Sequence, residues 1–313
     1  MNNFILGHYK NGNYYVTIMS DGTKIRQTEE NEFIPEFPEN ADVKCTDRCS
    51  QLCKFCYEGC TPKGNHAKLM NPDGTFAQNW MNTLHPYTEL ALNGNDLDIP
   101  DLDMFLLKLQ EKHIIANITV NQNQFMKHLD YLHFLVDHKM IYGLGVSLAN
   151  AEDKKFFEEI KKFPNAVIHT IAGILDEYDT NTLMFHRVKV LILGYKNLGR
   201  GINYKDKFED KINHNMKHLK DILDLMVKYC KVVSFDNLAI EQLGVKDILF
   251  KDKEDQWDEF YMGDDGNFTL YIDAVNQTFA KNSCMPKDER FPIENRTMTE
   301  MFNYIRDRYG IKH

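Results

Sequence analysis

No stretch of this 313-residue chain approaches the ~20 consecutive apolar residues of a membrane-spanning helix, so no membrane association is expected. The N-terminus, Met1-Asn2-Asn3-Phe4, lacks the charged region and apolar stretch of a secretory leader, which points to a cytoplasmic protein. Basic residues are in deficit, 37 Lys and Arg against 46 Asp and Glu, for a formal net charge of -9. Neutralising phosphates takes clustered Lys and Arg, so a long nucleic-acid footprint is not expected, although a local basic groove is compatible with the total. There is no internal repeat and no low-complexity segment. Cysteine is scarce outside one place: of seven, only Cys230 and Cys284 lie beyond residue 60. No C-x2-C or H-x3-H pair appears downstream to complete a two-knuckle zinc site.

What is present is a globular composition, 43% hydrophobic and 27% charged, with short apolar runs alternating with amphipathic stretches. That alternation predicts an α/β fold around a parallel sheet. The core strands fall at Asp42–Thr46, Glu89–Leu92, Ile114–Val120, Gly143–Leu148, Ala166–Ile171, Lys189–Leu193 and Lys231–Phe235. Six or so strand–helix units predict a partial (β/α)6 TIM-like barrel. Residues 1–40 form an N-terminal β-hairpin and lead-in, 41–240 the partial barrel and 241–313 a C-terminal β-hairpin cap. In the cap, Gly263–Asp273 alternates like a strand, with Val275–Phe279 as its partner. Ile212, Met216, Leu219, Leu223, Met226 and Cys230 recur at four- and three-residue spacing, marking one long amphipathic helix with Cys230 on its apolar face. His214 and His218, four residues apart on that helix, project away from the stripe.

Five cysteines, Cys45, Cys49, Cys53, Cys56 and Cys60, lie within sixteen residues. Cys49, Cys53 and Cys56 form C-x3-C-x-Φ-C with Phe55 as the aromatic, and thiolates so spaced suit three irons of a cubane cluster, leaving the fourth open. The run resembles the signature of radical S-adenosylmethionine (SAM) enzymes. The resemblance implies that Cys49, Cys53 and Cys56 hold a [4Fe-4S] cluster, that SAM chelates the fourth iron, and that an external flavodoxin- or ferredoxin-type donor supplies an electron. Cleavage of SAM then yields a 5'-deoxyadenosyl radical. The stretches Cys56–Ala67, Asn117–Gln122 and Leu191–Lys196 are also similar to radical SAM proteins often encoded by phages and their bacterial hosts, a group that implies no settled reaction. Cys45 and Cys60 flank the motif as ordinary semi-buried thiols, and the two remaining cysteines are too few for an auxiliary cluster.

In barrel-like folds reactive groups gather at the carboxyl ends of the strands, and the cysteine run directly follows the first predicted strand. The second strand ends in Asn93-Gly94-Asn95-Asp96, aligned with the Gly-Gly-Glu element by which the family binds the SAM amino group. An amide brings no charge, so either Asn95 performs that role through its carbonyl oxygen or Asp96 replaces it. Asn121, Ser147 and Tyr195 close later strands at positions where the resemblance implies contacts to SAM ribose and adenine. Arg200 is a candidate partner for a SAM or substrate carboxylate. The expected activity is hydrogen abstraction from a small polar substrate, a nucleotide or amino-acid derivative. A peptide or protein side chain is the rival substrate, and a non-enzymatic zinc-stabilised binding module is the rival of another class.

Overall fold

The computed structural model describes residues 3–312; Met1 and Asn2, on which the expectation about a secretory leader partly falls, and His313 lie outside them. The chain starts with a three-stranded antiparallel sheet, β1 (Ile5–Asn11), β2 (Tyr14–Met19) and β3 (Lys24–Gln27), so the expected hairpin carries a third strand. Its buried residues alternate along β1 and β2, and Tyr9, Tyr14, Val16, Phe37 and Phe268 form a small core beneath it.

The main body is a ten-stranded mixed sheet. Seven parallel strands follow one another in chain order: β4 (Asn40–Lys44), β5 (Glu89–Asn95), β6 (Ile115–Asn121), β7 (Gly143–Ser147), β8 (Ala166–Ile171), β9 (Lys189–Leu193) and β10 (Val232–Phe235). Each matches a predicted strand to within a few residues. Helices such as Leu102–Glu111, Leu129–Asp137, Lys154–Ile160 and Glu177–His186 lie between them in sequence. The C-terminal hairpin differs from the expected cap. β11 (Thr269–Asp273) pairs in parallel with β4, and β12 (Thr278–Ala280) and β13 (Phe291–Pro292) continue the same sheet. The long helix also differs: Arg200–Asp221 and Leu223–Tyr229 are separate, because Ile222 leaves the helical region at φ -111°. Cys230 is buried as expected of an apolar face, and the half-buried His218 meets the Thr180 hydroxyl at 3.2 Å.

The two faces of the parallel sheet differ in chemistry. One register row, Val43, Leu92, Ile118 and Leu144, is fully buried and shares a core with helix residues such as Phe105, Leu132, Phe156 and Leu219. Each such side chain contributes roughly 1.5–3 kcal/mol by leaving water. The neighbouring row, Asp42, Ala91, Asn117 and Gly143, points the other way and stays partly open to solvent. Farther along, Asn121, Ser147, His169, Leu191 and Ser234 align on that open face. Gly145 is small by necessity, since a Cβ there would lie 2.5 Å from the His169 ring and 2.6 Å from the Thr119 hydroxyl.

Candidate functional site

The cysteine run occupies the loop that leaves the carboxyl end of β4. Cys49, Cys53 and Cys56 are half-buried, whereas Cys45 and Cys60 are buried. Backbone bonds fold the loop back on its own root: the Cys49 amide donates to the Thr61 carbonyl at 3.0 Å, and the Thr61 amide to the Asp47 carbonyl at 3.0 Å. Gly64 fits here because a Cβ would lie 2.1 Å from the Asp47 carbonyl oxygen.

The strand-end residues singled out in the sequence converge on this loop. Asn93 Oδ1 accepts from the amides of Cys45 (2.5 Å) and Thr46 (3.2 Å) while its Nδ2 donates to the Thr46 carbonyl (2.9 Å), closing the end of β4 as a strand neighbour would. Gly94 leaves no room for a side chain, since a Cβ would sit 2.7 Å from Ile118. Asn95, at φ +43°, donates from Nδ2 to the Arg48 carbonyl at 2.8 Å, and its Oδ1 accepts nothing from the described residues. Both Asp96 oxygens are engaged: Oδ2 takes the Ser50 amide (2.7 Å), and Oδ1 takes the Ser50 hydroxyl (3.1 Å) and the Asn121 amide group (2.8 Å). Asn121 also caps the helix Gln122–Lys127 and receives Gln51 Nε2 at 3.1 Å.

From the far side, the start of the helix Arg200–Asp221 clamps the loop. Arg200 donates from its amide to the Cys56 carbonyl (3.0 Å), from Nε to Cys53 (2.9 Å) and from Nη2 to Cys60 (2.9 Å). Two of its guanidinium N–H groups are thus engaged with loop carbonyls, and Nη1 has no partner among the described residues. Gly199 makes the approach possible, because a Cβ would lie 2.4 Å from the Tyr57 carbonyl oxygen. Phe55 packs edge-on against Tyr204 with ring centroids 5.7 Å apart. The Tyr195 hydroxyl donates to the Gly201 carbonyl at 2.7 Å and is buried, and Ser147 is exposed at the end of β7.

Thiol acidity divides the cysteines. Burial pushes Cys45 up to about 12 and Cys49 up to about 11, and also raises Cys53. Cys56 is pulled down to about 6, first by its hydrogen bond with the Cys60 thiol, which moves up in return. Among the described residues no three His, Cys, Asp or Glu side chains converge on a single ion. A mononuclear zinc needs such convergence, whereas a cubane takes one thiolate on each of three irons. Cys49, Cys53 and Cys56 offer three half-buried thiols on one braced loop, a donor set of the sulfur type that such a cluster takes.

Two groups of charges on the open face were missed in the sequence. Lys44 Nζ meets Asp47 (2.6 Å), Glu58 (2.9 Å) and Asp273 (3.0 Å), and Arg290 adds Asp273 (3.1 Å) and Glu58 (3.6 Å). This buried network ties the cysteine loop, through Glu58, to β4 and β11. The other group is open. Asp42 touches solvent yet is surrounded by protein, so burial raises its carboxyl above the ordinary range, and it has no hydrogen bond or ion pair among the described residues. Lys196 Nζ lies 2.7 Å from the Ser283 hydroxyl and 4.2 Å from the centre of the Tyr57 ring. Burial pushes the nearby His169 imidazole down to about 4. A charged residue at an inward strand position, as Asp42 and Lys44 are on β4, was the available signal.

No helix among the described residues is long and apolar enough to cross a membrane. Compared with known proteins, the chain matches no family model and no curated protein.

Proposed function

We propose that this protein is a single-cluster radical SAM enzyme built on a partial (β/α)6-type barrel, with the open face of the sheet as its interior. The observation that carries the reading is the placement of Cys49, Cys53 and Cys56: three half-exposed thiols on one braced loop, directly after the first parallel strand. These cysteines would hold the [4Fe-4S] cluster. Bound there with SAM, and reduced by a flavodoxin- or ferredoxin-type donor, the cluster supplies a 5'-deoxyadenosyl radical that abstracts hydrogen from a small polar substrate of nucleotide or amino-acid type.

The chain's own part is positioning. Asp96, Asn93 and Arg200 fix the loop, so the thiols are held before any cofactor arrives. Asn95 Oδ1 is left free to accept from an ammonium group, whereas each Asp96 oxygen already accepts from Ser50 or Asn121. Asp42, Thr119 and His169 give the interior polar contacts suited to a polar substrate.

The test is anaerobic reconstitution with iron and sulfide. Replacing Cys49, Cys53 or Cys56 by Ala should abolish the cluster's visible absorbance and the conversion of SAM to 5'-deoxyadenosine under dithionite, while Cys45→Ala and Cys60→Ala retain both. Iron lost from either flanking variant but kept by Cys49→Ala would overturn the assignment. Protein purified with one zinc and no sulfide would instead indicate a binding module.

A further inference from the structure

A second concentration of unpaired charge lies at the opposite end of the sheet. Lys189 opens β9 and Lys231 immediately precedes β10, so both sit at amino ends of strands, away from the cysteine loop. With Lys161, His186 and Arg187 they rim a cavity of about 470 Å³ floored by Phe163 and Ile168. That volume falls within the roughly 300–1,000 Å³ usual for small-molecule sites.

These cations are not matched. Lys161, Arg187, Lys189 and Lys231 form no ion pair among the described residues, whereas the adjacent Lys162 meets Glu159 at 2.7 Å. Lys189 Nζ donates only to the Pro164 carbonyl, at 2.9 Å. The acids acting on this group, Asp21 on Lys189 and Glu158 on His186, lie beyond ion-pair distance, and Asp21 already accepts from Thr23 and Asn3. Burial and then Lys231 push the Lys189 ammonium down, against a smaller upward pull from Asp21. Carboxyl ends of helices attract cations, and Lys161 and Arg187 each follow one, but neither side chain donates to a carbonyl there. Phe185, on the same rim, is 82% exposed, the most exposed large apolar side chain among the described residues.

We propose that this cavity binds a phosphate ester carrying a flat ring, of the mononucleotide kind. Lys161, Arg187, Lys189 and Lys231 hold the phosphate by charge-assisted hydrogen bonds, and Phe185 stacks on the ring. The site is independent of the radical chemistry at the other end of the sheet.

Isothermal titration of the full chain with AMP, adenosine and inorganic pyrophosphate tests it. AMP and pyrophosphate should bind saturably, and adenosine should bind at least about tenfold more weakly than AMP, a difference of about 1.4 kcal/mol. The double substitution of half-buried Lys189 and exposed Lys231, Lys189→Gln/Lys231→Gln, should weaken AMP and pyrophosphate by about tenfold or more. Phe185→Ala should weaken AMP alone, which keeps the test decisive if the lysine variant is unstable. No saturable binding of AMP, or binding that both variants leave unchanged, overturns the proposal. So does displacement of AMP by a short oligonucleotide with a steep salt dependence, which would make the cavity part of a nucleic-acid surface.

Discussion

Asp42 and Lys44 lie on one strand, point to the same face and stand two positions apart, yet their surroundings are opposite. Lys44 is enclosed by Asp47, Glu58 and Asp273, and Arg290 joins from the C-terminal segment. Asp42 is exposed and has no hydrogen bond or ion pair among the described residues, with Lys196 acting on it from beyond ion-pair distance. A buried charge costs several kcal/mol unless it is paired, as Lys44 is, whereas Asp42 keeps its access to water. The closed group holds the cysteine loop to β4 and β11. The open group faces space that a ligand can enter. Saturation, rather than polarity, separates the scaffold of this site from its binding surface.

Removing one charge from each group is the sharpest way to break the comparison. Lys44→Met leaves three buried or half-buried carboxylates with Arg290 and, at 3.8 Å from Glu58, the half-exposed Lys287, and breaking a buried network from one side costs about 3–5 kcal/mol. Urea unfolding should register a loss of that order. Asp42→Asn removes a solvent-accessible carboxylate that has no ion pair among the described residues and should leave stability unchanged or slightly higher. Equal losses in the two variants would mean that Asp42 has a structural partner and the contrast fails.

Acid titration sharpens the same contrast, because the two carboxylates have opposite signs. Burial alone would raise the Asp273 carboxyl, but Lys44 and then Asn276 outweigh it and hold it below the ordinary 3.8. Its contribution to stability is present above that ordinary value and is lost as pH falls through the lower folded one. For Asp42 the folded value is raised. The folded state then binds the proton more tightly than the unfolded chain, so stability is greatest at low pH and declines as pH rises from the ordinary value through the raised one. Relative to wild type, Asp42→Asn should therefore gain stability as pH rises above about 4, whereas Asp273→Asn should flatten the acid limb below it. Parallel pH profiles for the two variants would remove the distinction.

The sequence made the parallel strands legible because each is a β-branched or apolar run bounded by turns, as in Ile114–Val120. The place of β11 was not legible. Its alternation is the same whether it caps the fold or extends the sheet, and what decides is pairing with β4 and the Lys44–Asp273 contact across 229 positions. The break at Ile222 was hidden because Leu223 and Met226 keep the apolar spacing after it. In the site, the cysteine spacing could be read directly. The duties of Asn93, Asp96 and Arg200 could not, since an amide, a carboxylate or a guanidinium serves a ligand and a backbone equally well. Only the partners decide, and here those partners are the cysteine loop.

The smallest expected effect tests the same rule on adjacent residues, Asn95 with an oxygen that accepts nothing and Asp96 with a bond at each oxygen. Under the proposed function Asn95 Oδ1 receives the SAM ammonium, and one hydrogen bond is worth about 1 kcal/mol net. Asn95→Ala should therefore weaken SAM binding by about that amount in anaerobic titration, with iron content unchanged. Asp96→Asn should act elsewhere. An amide oriented to accept from the Ser50 amide through its oxygen turns its NH2 group toward both the Ser50 hydroxyl and the Asn121 NH2 group, which had donated to Oδ1, so the brace on the loop loosens and retention of iron should fall before SAM affinity does. The two variants are separated by measuring iron and SAM affinity on the same samples. Loss of SAM affinity with full iron in Asp96→Asn would mean that Asp96, despite its engaged oxygens, is the ammonium partner and that saturation does not mark the scaffold at this turn.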